Sequence, residues 1–561
     1  MKLSACALHP ILRPFMAIEA ETRWTVWARP FLRHRTWLIL AFTILLVVAV
    51  RVRLRETPLE RDEGEYAYAG QLILSGVAPH AGAYTMKLPG TCTAYALFMA
   101  LLGQTPSAIH LGLAAVNVVS ILLVFFLGRR LVDETAGLAA AVTFAFMSLS
   151  PSVLGLAGHA THFVVAFALA GFLVLLRVPE SSKLAPLFIS GVLLGLAFLM
   201  KQHGALFGLC GGIYILWAGL RHKRVNPKAL AGRVIVFAAG VLLPFSVTCG
   251  IMWKAGVFDK FWFWTFTYSA KYAAIVPRGY GAQLFREGLN AVIGPDLLFW
   301  LLPWVGAVLI WWHESAGRAR FFLSLLTICS AVSVCVGFFF RGHYFILLLP
   351  AMALLTGVAV SRAVHLLRHD RSIELFTTLP ILGAFLLACV TALVGNGECW
   401  FGLSPSQFVR NNYRSSLFGD AISAGEYLKA NSKADARVAI LGSEPEILFY
   451  ARRSAATGYI YMYPVMETHS YAGKMQDDMI REIETSRPEF VVFVDDPDSW
   501  LPQPGSHRQL LKWWEDYRDA NLELVNTLKI ARGLEPELGD SRGAGDLPST
   551  ILRIFRRKSA P

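Results

Sequence analysis

Long apolar runs alternate with short polar stretches along most of this chain, and the alternation sets its fold class. Runs of spanning length lie near residues 37–54, 108–128, 137–151, 162–177, 185–200, 204–220, 234–252, 296–312, 321–340, 343–361 and 374–395. A helix needs roughly 20 such residues to cross a hydrocarbon core of about 30 Å. A β-barrel would instead show short segments of strict alternation. Past residue 395 the pattern changes. DAISAGEYLKANS has helical spacing, ARVAILG and FVVFVDD read as buried strands, and EPEILFYARR and KMQDDMIREIETS read as helices. The expectation is a polytopic α-helical membrane protein of about 11 transmembrane helices with a C-terminal soluble α/β domain. Its parts are an N-terminal segment 1–36, a membrane region 37–395 with a long first loop 55–107, a linker 396–417 and a soluble domain 418–561. Within the last, GDSRGAGDLPST reads as disordered before a final strand-like ILRIFRR.

Charge orients these elements. The loops RRLVDET, RVPESSK, RHKRVNPK, HESAGRAR and RAVHLLRHDR are all basic and fall on one side if the N-terminus is cytoplasmic, as the positive-inside rule requires. Residues 55–107, 152–161, 253–295 and 396–561, with the bends at Lys201 and Arg341–His343, then share the opposite face. The expected location is a bacterial inner membrane, with the C-terminal domain in the periplasm. The first apolar run follows basic residues and has no small-residue cleavage site, so it reads as a retained span. A net charge of +13 is explained by the basic loops, and no nucleic-acid-binding motif accompanies it.

Composition agrees, at 55 % hydrophobic and 16 % charged residues, against about 25 % charged in soluble chains. Most of the eight cysteines lie in apolar blocks and behave as small hydrophobes, and no Cys/His spacing suggests a metal site.

Ionisable groups near membrane depth are costly, and the few that escape the basic-loop pattern mark the chemistry. They are Asp62, Glu63 and Glu65 in RDEGEYAYAG, Lys87 in YTMKLPGTCTAY, Lys201 in LLGLAFLMKQHG, and Arg341 with His343. All meet the same face in this topology. Asp62 with Glu65 also has capping-box spacing, a compatible structural role. Lysine snorkelling is the bland alternative for Lys201, and His159 and His162 of LAGHATHF read as interfacial histidines without a third metal ligand. A carboxylate opposite lysines at a membrane surface suits transfer from a lipid-linked sugar phosphate. The lysines would stabilise the departing phosphate while the carboxylate orients or deprotonates an acceptor hydroxyl.

These stretches resemble a known family. DEGEYAYAGQLILSG with MKLPGTCTAYALFMALLG is similar to the first outer loop of the GT-C glycosyltransferases, in the branch of protein O-mannosyltransferases and lipid A aminoarabinose transferases. GRRLVDETAGLAAAVTFAFMSLSPSVL, LLGLAFLMKQHG and HYFILLLPAMALL extend the likeness in order over roughly residues 37 to 360. The resemblance implies Asp62 as catalytic base with Glu63 beside it, Lys87 and Lys201 as donor-phosphate ligands, and His343, Tyr344, Arg341 and Tyr66 as substrate-binding residues. It implies an inverting transfer from a polyprenyl-phosphate-linked sugar to an envelope glycolipid, polysaccharide or protein on the periplasmic face. No cofactor is called for, and a divalent metal stays open. Aminoarabinose transferases tend to carry an arginine where this chain has Glu65, so the sugar and acceptor are left open. The sugar-binding repeats of eukaryotic protein O-mannosyltransferases are absent from the sequence. A flippase of lipid-linked sugars or a non-catalytic envelope assembly protein are the rival classes. The first would usually show internal repeats, and the second has no use for Asp62 opposite two lysines.

Overall fold

The computed structural model describes residues 23–177, 183–221, 226–312, 317–369, 375–413, 415–530 and 550–558. Most of GDSRGAGDLPST, much of the N-terminal segment and parts of four basic loops lie outside the described residues. Among the described residues, eight helices are long and apolar enough to cross a membrane, and the bent pair Gly279–Ile293 and Leu297–Trp312 counts as a ninth if it forms one span. Two more of the apolar runs form the shorter helices Glu134–Leu149 and Leu184–Met200. The eleven runs read from the sequence are therefore all helical, and the chain is a multi-pass membrane protein.

Helix ends follow local chemistry. Thr105 caps Pro106–Leu131 and Asp133 caps Glu134–Leu149, each side chain accepting a free amide of the first turn. The tenth run begins later than expected. Residues Gly342–Leu347 form a tight 3-10 turn, and the helix proper runs Leu349–His369 with Pro350 at its start, where a missing N–H costs least. His343 and Tyr344 thus sit in a turn, outside the span.

The long first loop folds into two helices, Arg61–Leu74 and Gly90–Leu102. The capping box lies two residues earlier than the sequence suggested. Glu60 is the N-cap and accepts from the Glu63 amide at 3.0 Å, while Glu63 accepts from the Glu60 amide. That frees Asp62, in the first turn, from any capping duty. The Pro-Gly after Lys87 opens a helix: Pro89 is its N-cap, and a Cβ on Gly90 would collide with the Leu199 carbonyl oxygen. This close approach brings the Lys87 loop against the end of Leu184–Met200, beside Lys201.

Past the last span, five strands form a mixed sheet in the order β2-β1-β3-β5-β4. β1 (Arg437–Leu441) lies parallel to β2 (Ser454–Ala455) and β3 (Phe490–Asp495), while β5 (Thr550–Arg557) runs antiparallel to β3 and to β4 (Leu522–Ile530). The pattern-based reading has no counterpart for β4, an edge strand whose alternation is broken by a bulge between Leu524 and Asn526.

This sheet unit grips the loop helix Arg61–Leu74. Arg61 donates through Nε and Nη2 to Glu444 Oε1 at 3.2 and 3.0 Å, and Glu444 has no exposed side-chain surface. Gln71 donates to the Phe449 carbonyl, the Leu59 amide to the Tyr450 hydroxyl, and the Ala455 amide to the Tyr68 hydroxyl. Gly64 packs so tightly on Glu446 that a Cβ would lie 2.6 Å from the glutamate's own. Arg61→Ala would strand a buried carboxylate and is expected to destabilise the protein by about 3 kcal/mol. Thermal unfolding in detergent reads this directly, and an unchanged midpoint would refute the clamp.

Candidate active site

Asp62 stands at the meeting point of four segments. Lys87 Nζ lies 2.6 Å from Asp62 Oδ1 and 2.6 Å from Glu65 Oε2, and 4.3 Å from the centre of the Tyr66 ring. Lys201 Nζ lies 4.1 Å over the Tyr344 ring. His159 stacks on His343 with ring centres 4.1 Å apart, and its Nδ1 is 3.7 Å from Asp62 Oδ2. Arg341 joins Tyr66, Tyr272, His343 and Tyr344 around the same cavity.

The cavity is divided. One compartment, of about 110 Å³, is lined by Lys87, Lys201, Arg341 and His343 with the apolar Met200, Val336 and Phe339. The second is lined by Glu65, Trp264, Tyr268, Tyr461, Tyr463 and Glu467. Asp62, Met86, Lys87, Tyr272 and Arg341 line both. One side is cationic with an apolar flank, the other aromatic and acidic, and the Asp62 carboxylate lies between them.

The expected site residues converge, with one exception. Glu63 turns away from both compartments and is 1 % exposed. It accepts the Gly158 amide at 2.5 Å and lies 3.0 Å from His110 Nε2, so it ties the loop helix to the membrane helices. That corrects its expected catalytic role, because a carboxylate with its lone pairs bound in the protein interior cannot reach a substrate. Glu65 pairs with Lys87, where it had read as a helix-start residue. His159 went unrecognised as a site residue, because its partners Asp62 and His343 are about 100 and 180 residues away in the chain. Tyr272, Tyr461, Tyr463 and Glu467 gave no signal in the sequence, since each is one polar or aromatic residue among many.

Burial and charge set the protonation states. Burial is the largest influence on the Asp62 carboxyl and would raise it, but the Lys87 ammonium together with His159 and His343 outweighs it and holds Asp62 well below the usual range. Lys87 is lifted well above a free lysine, the Asp62 and Glu65 carboxylates overriding its burial. Lys201 behaves oppositely: burial brings it down to about 7. Burial also raises Glu467 to about 7, with Tyr268 donating to it at 2.7 Å.

Asp62, His159 and His343 each present a ligand atom within 4.8 Å of the others. Both ring nitrogens of His159 are buried without a hydrogen-bond partner. Two imidazoles and a carboxylate suit a divalent transition metal such as zinc. These three would hold it, and it would supply a Lewis acid beside the cationic compartment.

Comparison with known proteins agrees with this architecture. The family model for dolichyl-phosphate-mannose-protein mannosyltransferase matches residues 89–247. No curated protein sequence matches the chain. ArnT from Cupriavidus metallidurans, solved bound to undecaprenyl phosphate, superposes with a TM-score of 0.56 at 13 % identity over 93 % of this chain and 98 % of its own. The oligosaccharyltransferase AglB from Archaeoglobus fulgidus, solved with an inhibitory peptide and dolichol-phosphate, gives 0.52 at 13 % identity over 83 % and 70 %. The mycobacterial arabinofuranosyltransferase AftD gives 0.50 at 13 % over 94 % and 40 %. The chain has the GT-C glycosyltransferase fold, as its first-loop motifs led one to expect.

The Lys201 shift carries a pH dependence. A buried amine that titrates near 7 must be protonated to hold an anion, and a bound anion raises its pKa. Anion affinity at this cavity is therefore full below pH 7 and is expected to fall about tenfold per pH unit above it, until the bound-state pKa is reached. Titration calorimetry with a polyprenyl phosphate between pH 6 and 9 reads the slope. Lys201→Arg should flatten it, and a wild-type affinity independent of pH would remove Lys201 from the site.

Proposed function

We propose that this protein is an inverting glycosyltransferase that moves a sugar from a polyprenyl-phosphate carrier to a cell-envelope acceptor on the periplasmic face of a bacterial inner membrane. The observation that carries the reading is the position of Asp62 on the wall between a cationic compartment and an aromatic, acidic one. The carrier phosphate fits the first, against Lys201, Arg341 and Lys87, with the prenyl chain leaving over Met200, Val336 and Phe339. Undecaprenyl phosphate in the ArnT structure and dolichol-phosphate in the AglB complex are ligands of this chemical class. The acceptor fits the second, where aromatic faces pair with the C–H faces of sugar rings and Glu65 and Glu467 accept hydroxyl hydrogens. A saccharide-bearing acceptor suits that lining best.

The reaction follows from the geometry. Lys87 is shared between Asp62 and Glu65. An incoming phosphate competes for the ammonium, and as Lys87 turns to it the Asp62 carboxylate loses its counter-ion and becomes a stronger base. An acceptor hydroxyl oxygen then attacks the anomeric carbon from the Asp62 side and passes its proton to Asp62. The bond from that carbon to the phosphate oxygen breaks on the opposite side, and its electron pair leaves with the phosphate, where Lys87, Lys201 and Arg341 stabilise the charge. Attack and departure on opposite faces invert the anomeric configuration. The rival flippase and assembly-protein readings leave the placement of Asp62 between two unlike compartments without a purpose.

Membranes carrying the wild type or Asp62→Asn, incubated with radiolabelled polyprenyl-phosphate sugars and envelope extracts, test this. Asp62→Asn keeps the size of the side chain and removes its basicity, so transfer is expected to fall by about 10²–10⁴. Transfer at the wild-type rate would overturn the assignment. Lys87→Ala should weaken donor use while leaving the protein folded.

A further inference from the structure

A second cavity lined by charged residues is remote from Asp62. Its position follows from the helices. Ala160–Arg177 begins beside His159 at the candidate active site, and Leu175 and Leu176 at its other end line this second cavity. At 1.5 Å per residue the two places are about 25 Å apart along the helix axis, close to the thickness of a hydrocarbon core. Leu184–Met200 and Ala205–Leu220 agree: each has one end at Lys201 and the other at this cavity, near Leu187 and Arg221. The cavity therefore opens at the opposite membrane face, which the basic loops make cytoplasmic.

Its volume is about 350 Å³, and its lining includes Arg221, Arg233 and Arg318 from three different segments, with Tyr214, Trp217 and Leu187. The cationic wall is held in place by packing. Trp217 stacks flat on Phe321 with ring centres 4.1 Å apart and 2° between planes, and the Arg221 guanidinium lies 4.9 Å from the Trp217 ring centre. Arg221 Nη1 comes within 3.2 Å of where a Cβ on Gly317 would stand, so the glycine leaves room for the arginine. Leu184, Leu216 and Leu220 around this end are 49 %, 42 % and 62 % exposed, an apolar outer surface suited to acyl chains. None of these residues takes part in the chemistry at Asp62.

We propose that this cavity binds a phosphate group, and that the phosphate is the headgroup of an anionic lipid of the cytoplasmic leaflet. Three guanidinium groups offer planar, forked donors matched to phosphate oxygens. Aliphatic walls beside them and exposed leucines outside suit the glycerol and acyl parts of a lipid. Basic pockets between transmembrane helices on this side recognise such headgroups through the same chemistry.

The test uses the full-length protein in zwitterionic detergent with phosphatidylglycerol or phosphatidylcholine added, and native mass spectrometry to count bound lipid. Wild type should retain phosphatidylglycerol over phosphatidylcholine, and the Arg233→Gln/Arg318→Gln variant should bind it at least about tenfold more weakly. The unfolding midpoint without lipid checks that the variant is folded, and Arg233→Lys/Arg318→Lys should recover part of the binding. Lys87→Gln/Lys201→Gln, which alters the cavity at Asp62, should keep the lipid. Equal retention by wild type and the arginine variant would overturn the proposal, as would loss that follows the lysines. Inorganic phosphate that displaces the lipid as well as a second anionic lipid does would show a free-phosphate site and overturn the lipid assignment.

Discussion

A single ammonium group organises the face of this protein that carries the candidate site. Lys87 sits 2.6 Å from both Asp62 and Glu65, in a place where water is nearly excluded. Without it, two carboxylates three residues apart on one helix turn would repel each other with no counter-ion between them. With it, Asp62 is kept charged yet restrained. The loop helix, the Gly90 approach to Leu199 and the clamp from the sheet unit all serve to place this one pair of interactions.

That dependence explains why the polar C-terminal part belongs to the site. Its Tyr461, Tyr463 and Glu467 complete the compartment beside Glu65, and its Glu444 holds the residue before Asp62. The membrane helices contribute the opposite wall through residues at their ends and breaks: His159, Lys201 and the turn Gly342–Leu347. Irregular backbone at such depth is tolerated where it lines a cavity. The polar groups of the site accordingly cluster at helix breaks, while helix interiors remain apolar.

The two compartments also differ in what they ask of a ligand. Lys201, Arg341 and Lys87 favour a compact anion, whereas Glu65 and Glu467 with six aromatic rings favour a neutral polyol with apolar faces. Glu65 and Glu467 add carboxylates to the second compartment that the first one lacks.

Much of this was legible in the residue pattern. Among the described residues every apolar run read from the sequence is helical, because crossing a hydrocarbon core requires a long apolar segment with its backbone hydrogen bonds satisfied internally. The scarcity of charge near membrane depth singled out Asp62, Lys87, Lys201 and Arg341, because each such group is too costly to keep without a use. What the sequence could not decide was direction and distance. Asp62 and Glu63 are neighbours of the same chemical type, yet a helix turns them about 100° apart, so one meets the cavity and the other the Gly158 amide. His159 became a partner of Asp62, and Glu467 a wall of the second compartment, only when segments remote in the chain were packed together. Local pattern determined which elements form; tertiary packing alone decided which side chains meet.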